Sequence, residues 1–261
     1  MANLKIFQVD AFTDRAFGGN PAAICPLDMW LEDSVLQNIA AENNLAETAF
    51  FVPLNDGFRI RWFTPKVEVD LCGHATLASA YVLFELLGFK KDVLSFQSRS
   101  GALTVTRNKD WYTLNFPADR FNEIEINPAL QACFDIKPIE AYRGSTDLML
   151  VFSKHRDIES LKPNYGKIAE CRARGVIVTA EGITTDFVSR FFAPAVGINE
   201  DPVTGSAHTT LTPYWSNKLK KLELTAMQLS PRGGFLKCSL LKDRVLISGQ
   251  AVLFLEGEIV L

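Results

Sequence analysis

What most narrows the fold of this 261-residue chain is that one half of it repeats in the other. Arg61-Trp62-Phe63-Thr64-Pro65 reappears as Arg190-Phe191-Phe192-Ala193-Pro194, and Cys72-Gly73-His74-Ala75 as Thr204-Gly205-Ser206-Ala207. Downstream, Arg99-Ser100-Gly101-Ala102-Leu103 matches Arg232-Gly233-Gly234-Phe235-Leu236, and Asp110 matches Asp243. The displacement is about 130 residues throughout, and two copies are too few for a solenoid. The expectation is two homologous halves, residues 1–120 and 121–261, facing each other across a pseudo-twofold axis. The last strand could pack back on the N-terminal half.

Each copy centres on one apolar helix. Between Gly73 and Leu87 the only polar side chains are His74, Thr76, Ser79 and Glu85, a pattern that predicts a helix buried on nearly every face. It should start at Cys72-Gly73-His74, so that its unpaired N–H groups face the loop holding Asp70, and Gly88 should close it. The helix after Thr204 carries Pro213 and should bend or break about two turns in. Glu32 to Asn43 has one apolar face and predicts an outer helix. Asn55-Asp56-Gly57 predicts a hairpin turn. Gly18-Gly19-Asn20-Pro21 reads as a surface turn.

Strands outnumber helices and βαβ alternation is absent, so the fold class is α+β. Each half should be a strongly curved, mostly antiparallel sheet around its central helix. A net charge of −3 without a Lys/Arg block argues against nucleic acid as a partner. No apolar run reaches membrane-spanning length, and the first residues do not read as a signal peptide. The five cysteines are odd in number and far apart. They point to reduced thiols in the cytoplasm and not to a disulfide framework.

The chemistry is narrowed by absences. With three histidines and no CxxC or HExxH pattern, no metal site is expected. GxSxG and dinucleotide fingerprints are missing too. What remains is an anion cradle. Gly73 and Gly205 would let two helix starts approach a ligand carboxylate closely. Such a cradle stabilises the enolate-like charge that develops when a proton leaves the neighbouring carbon. His74 and Asp201 lie beside the two cradles. Glu47, between a helix end and an apolar strand, could carry the proton if burial raises its pKa. Aligning Val52 with Val178 sets Glu47 opposite Ala173, so a working Glu47 would work alone. Singly, each residue also reads as a cap or a turn residue; their recurrence at equivalent places favours function.

The set FxVDAFTDxxFxGNPAAI, NNLAETAF, DLCGHATLAS, EDPVTGSAH and SPRGGFLKC resembles the phenazine-biosynthesis isomerase (PhzF-like) family, of the diaminopimelate-epimerase-like fold, from Val9 to about Glu256. The resemblance implies a barrel-like sheet around a central helix in each half, an active site between the halves, and a homodimer. By motif position it makes Glu47 the general acid/base, with His74, Asp201 and Ser206 beside it and Gly73 and Gly205 in the cradle. The implied reaction is a cofactor-free isomerisation by proton transfer between carbons of a small anionic metabolite. Related epimerases use two thiols. Here Cys72 stands at the first such position but Thr204 at the second, which disfavours an amino-acid racemase using Cys72 with Glu47. A third reading is a non-catalytic binding scaffold.

Overall fold

A computed structural model of the chain describes residues 3–261. It divides into two units. One is the chain up to Asn115 together with Ser248–Leu261, and the other is Phe116–Ile247.

In the first unit, strand Asn3–Ala11 runs antiparallel to Ala251–Val260 on one side and to Asn20–Pro26 on the other. Asn20–Pro26 pairs in parallel with Glu47–Leu54, which turns through the two residues Asn55-Asp56 into the antiparallel strand Gly57–Phe63. The short strand Glu68–Val69 and the parallel strand Val93–Ser98 both pair with Gly57–Phe63, and Gly101–Asn108 continues the meander. Helix α1 (Asp33–Asn43) turns Leu36, Ile39 and Ala40 onto Cys25, Leu27, Phe50, Val52 and Phe63. It ends where Asn44 adopts a left-handed conformation, as an Asn C-cap readily does.

Helix α2 (Gly73–Tyr81) is buried at every residue from His74 to Ala80 and packs on strands Asn3–Ala11, Asn20–Pro26 and Glu47–Leu54. The α-helix is shorter than the expected run to Leu87. Residues Val82–Leu86 form a π turn, with the Leu87 N–H donating to the Val82 carbonyl, before Gly88 at φ +72° ends it. In that turn Phe84 is buried and stacks on Tyr112, whose hydroxyl donates to Glu85.

The second unit repeats this pairing scheme step for step. Glu140–Arg143 is antiparallel to Leu148–Val151, which is parallel to Val176–Glu181. That strand is antiparallel to Phe187–Ala193, which pairs with the short strand Ile198–Asp201 and in parallel with Glu223–Gln228. Gly234–Leu241 then pairs antiparallel with Glu223–Gln228. The short helix α3 (Pro128–Gln131) is capped by the Asn127 side chain. Where the first unit has α1, the second has α4 (His155–Ser160) and α5 (Tyr165–Ala169). Neither was expected, because helices this short, parted by Pro163, leave no apolar periodicity. Ile158 and Ile168 join Leu148, Leu150, Val176, Val178 and Phe192 in this unit's core.

Helix α6 (His208–Leu219) is the counterpart of α2 and runs through Pro213 without the expected break. Pro213 removes one backbone donor, while Leu211, Tyr214 and Trp215 are buried on either side of it and hold the turns together. One ion pair recurs as well. Arg61 clasps Glu68 through Nε and Nη2, both at 2.8 Å, and Arg190 clasps Glu200 through the same atoms at 2.7 and 2.9 Å. Each guanidinium also covers a phenyl ring, Phe63 or Phe192. The fold is therefore α+β, a curved, largely antiparallel sheet with few helices. Among the described residues no helix is long and apolar enough to cross a membrane.

Candidate active-site residues in the two units

In the first unit three segments place their ends together. Glu47 opens its strand three residues after the left-handed Asn44, and the parallel register sets it beside Ala22. Asn20 begins the neighbouring strand and is fully buried. His74 is the second residue of α2. The Asn20 Nδ2 amide donates to His74 Nδ1 at 3.3 Å, with Cys72 Sγ at 3.5 Å from the same nitrogen. Nδ1 therefore accepts, and the ring proton sits on Nε2. That nitrogen lies 3.2 Å from Glu47 Oε2, a close electrostatic approach outside regular hydrogen-bond alignment. Burial pushes the His74 pKa down to about 3, so the imidazole stays neutral.

The expected surface turn at Gly18-Gly19-Asn20 is instead buried. Gly19 has φ +60°, and a Cβ there would come within 2.0 Å of the Ala11 carbonyl oxygen. Only glycine lets the chain turn so tightly into Asn20. Asn20 was missed because a Gly-Gly-Asn-Pro run has the composition of any exposed turn.

In the second unit Asp201 ends its strand, largely buried, and accepts a short hydrogen bond from Thr204 Oγ1. The wholly buried Gln228 ties the two together: its Nε2 donates to the Asp201 carbonyl at 2.8 Å, and its Oε1 accepts from the Thr204 N–H at 2.9 Å. Gly205 and Ser206 lie in tight i→i+3 turns ahead of α6, not inside the helix as expected. His208 accounts for the difference. Its Nδ1 lies 2.9 Å from the Thr204 carbonyl, the acceptor its own N–H would use in an α-helix, and that N–H goes to Gly205 instead. Burial holds the His208 pKa at about 4, so Nδ1 carries the donating proton of a neutral ring.

Ser206 Oγ accepts from Arg174 Nη2 at 3.0 Å. Arg174 in turn makes a two-pronged pair with the buried Asp147 and lies over the Phe191 ring. Burial opposes its charge, but Asp147, with Asp201 and Asp119, outweighs that and keeps the guanidinium protonated. Because Ser206 Oγ is occupied as an acceptor, its own proton is directed elsewhere. The sequence reading missed Asp147, Arg174 and Gln228.

The strand registers explain part of that miss. Phe50 pairs with Arg61 and Val178 with Arg190, so Phe50, not Val52, is the counterpart of Val178. Glu47 then stands opposite Gly175 and not Ala173, and its neighbour Ala46 opposite Arg174. The second unit still has no carboxylate at that place. Among the described residues, Glu47, Cys72 and His74 are the group that brings three metal-ligating atoms within 4.8 Å of one another.

The comparisons with known proteins agree along the whole chain. The model of the phenazine biosynthesis-like protein family matches residues 9–257. An uncharacterized isomerase of Pseudomonas aeruginosa is 51% identical over 257 residues, covering 98% of each chain. The crystal structure of a PhzF-family phenazine biosynthesis protein of Enterococcus faecalis superposes with a TM-score of 0.98 at 46% identity, covering 100% of both chains. A predicted epimerase of Pseudomonas aeruginosa, at 19% identity and a TM-score of 0.76 over 99% of both chains, shares the fold. The motifs around Glu47, His74 and Asp201 thus sit in a chain that belongs to the PhzF-like family of phenazine biosynthesis-like proteins.

Proposed function

We propose that this protein is a cofactor-independent isomerase that moves a proton between two carbons of a small carboxylate-bearing metabolite. The observation that carries the reading is the Asn20–His74–Glu47 series, in which a buried amide fixes the tautomer of a buried, neutral imidazole and the imidazole faces a half-buried carboxylate. A carboxylate held this way keeps one orientation and is poised to take a proton from carbon. In this reading Glu47 takes the proton from the carbon beside the substrate carboxylate and returns it to a second carbon. His74 positions Glu47. The first N–H groups of α2, starting at Gly73, have no partners within the helix and would hold developing negative charge. Asp201, Gly205 and Ser206 are the second unit's candidate substrate-binding residues, with Arg174 donating to the Ser206 hydroxyl. The names of related isomerases support the reaction class, and the substrate class rests on the chemistry of these groups.

A second reading, an amino-acid racemase using Cys72 with Glu47, is favoured by Cys72 Sγ lying beside His74 Nδ1. It is disfavoured by Thr204, a hydroxyl engaged with Asp201, in the place of a second thiol. The test is a panel of small carboxylates incubated with the protein in D₂O. The proposal expects deuterium uptake at carbon, a product that is a constitutional isomer, and loss of about 10²–10⁴-fold in rate in Glu47→Gln. Near-wild-type turnover in Glu47→Gln would overturn it. A product that is the mirror image of its substrate, with activity lost in Cys72→Ser, would install the racemase.

A further inference from the structure

Away from these residues, the second unit brings two cysteines from distant parts of the sequence into contact. Cys133 follows α3 and is fully buried; Cys171 follows α5 and is partly exposed. Their Sγ atoms lie 3.4 Å apart. Each thiol also meets a carbonyl one turn back on its own segment, Ala129 or Lys167, at 3.4 Å. The backbone fixes the segments to each other. The Asn164 N–H donates to the Cys133 carbonyl at 2.8 Å, and Phe134 forms a β-bridge with Pro163. To form a disulfide the sulfurs would close from 3.4 Å to ~2.05 Å.

We propose that Cys133 and Cys171 form a peroxide-reactive dithiol site, with Cys171 the attacking sulfur and Cys133 the resolving one. The assignment follows exposure, since a hydroperoxide can reach Cys171 and not Cys133. The electrostatics agree. With Cys133 as the donor in that contact and Arg143 nearby, the Cys171 thiol is drawn below its ordinary pKa against the opposing effect of burial. The same interaction and burial hold Cys133 protonated. Glu170, paired with Lys167 at 3.0 Å, opposes that lowering.

In the first step the Cys171 thiolate attacks the terminal oxygen of the hydroperoxide. An S–O bond forms, the O–O bond breaks, and the departing alkoxide or hydroxide takes a proton to leave as alcohol or water. In the second step Cys133 loses its proton and attacks the Cys171 sulfenic sulfur. The S–S bond forms, the S–O bond breaks, and hydroxide leaves as water with that proton. Two electrons pass from the thiols to the peroxide, and a dithiol reductant reverses the change. The odd cysteine count and wide spacing that argued for reduced thiols conceal such a pair, because contact is set by the fold and not by spacing.

The test uses the full, pre-reduced chain treated with one to a few equivalents of hydrogen peroxide, then blocked with N-ethylmaleimide and digested with trypsin without reductant. Residues 121–143 and 168–172 fall in separate fragments, each with one of the two cysteines. The expected result is these fragments joined with the loss of two hydrogens, and separated again by dithiothreitol. Before oxidation, Cys171 should alkylate at least about tenfold faster than Cys25 and Cys238, whose thiols burial pushes up to about 12. In Cys133→Ser, dimedone should trap a sulfenic acid at Cys171; in Cys171→Ser, Cys133 should stay a thiol. Two free, alkylatable thiols after peroxide, or oxidation reaching Cys25 and Cys238 first, would overturn the proposal. So would Cys133 forming the sulfenic acid in Cys171→Ser.

Discussion

The two units share one pairing scheme and one Arg–Glu clasp, yet they carry opposite chemistry at the matching place. In the first, the residue opening the third main strand is Glu47, facing a neutral imidazole two residues after Cys72. In the second, that place is Gly175, its neighbour Arg174 reaches a hydroxyl two residues after Thr204, and a buried carboxylate, Asp147, holds the guanidinium. A carboxylate beside a neutral imidazole in one unit is matched by a guanidinium beside a hydroxyl in the other. The difference teaches that a repeat preserves strand order and backbone register while leaving strand-end side chains free to diverge. Function on a duplicated fold then depends on asymmetry.

The largest effect expected from breaking this comparison comes from the Arg174–Asp147 ion pair of the second unit. Arg174→Met leaves Asp147 charged and buried with its main partner gone, which costs about 3–5 kcal/mol. Urea denaturation should register that loss, and Arg174→Met with Asp147→Leu should recover most of it. A loss below about 1 kcal/mol would mean that water or another cation serves Asp147.

A smaller effect is expected where the second unit replaced Glu47 by glycine. A Cβ on Gly175 would meet the Phe191 Cζ at 2.3 Å, and the ring is buried with Arg174 over it. Gly175→Ala should therefore cost about 1–3 kcal/mol by overpacking, whereas Glu47→Gln should leave stability within about 0.5 kcal/mol. Equal effects at the two positions would mean that the two places are packed alike.

One further effect is shared by both units. His74 and His208 have pKa values of about 3 and about 4, below the unfolded value near 6.5. The unfolded chain takes up protons as pH falls through 6.5 while the folded one does not, so stability falls with pH from 6.5 towards 4. Each group contributes up to about 1.4 kcal/mol per pH unit in that window. Denaturation at pH 7 and pH 5 measures the slope, and His208→Asn should reduce it. A slope indifferent to both histidines would mean that the imidazoles titrate in the folded chain.

The elements with strong local chemistry were legible beforehand. The apolar face of α1, the Asn55-Asp56 turn and the start of α2 at Gly73 lie where periodicity and turn residues put them. What was not legible depends on partners far away in sequence. Arg174 and Asp147 are surface-type residues until the fold stacks one on Phe191 and buries the other. The alignment through the valines slipped by two residues because branched apolar side chains are interchangeable along a strand. Asn20 resembled a turn residue, and only strand pairing shows that it enters the interior. The π turn after Tyr81 and the late start of α6 are set by side chains competing for carbonyls, which helix propensity does not describe.

The proposed function assigns the proton step to Glu47 and substrate binding to Ser206. Its most direct test is solvent-deuterium incorporation at saturating and limiting substrate, compared between Glu47→Gln and Ser206→Ala. The prediction is that Glu47→Gln loses incorporation at any substrate concentration, while Ser206→Ala raises KM and keeps incorporation near the wild-type rate at saturation. Incorporation that survives in Glu47→Gln but vanishes in saturated Ser206→Ala would contradict it.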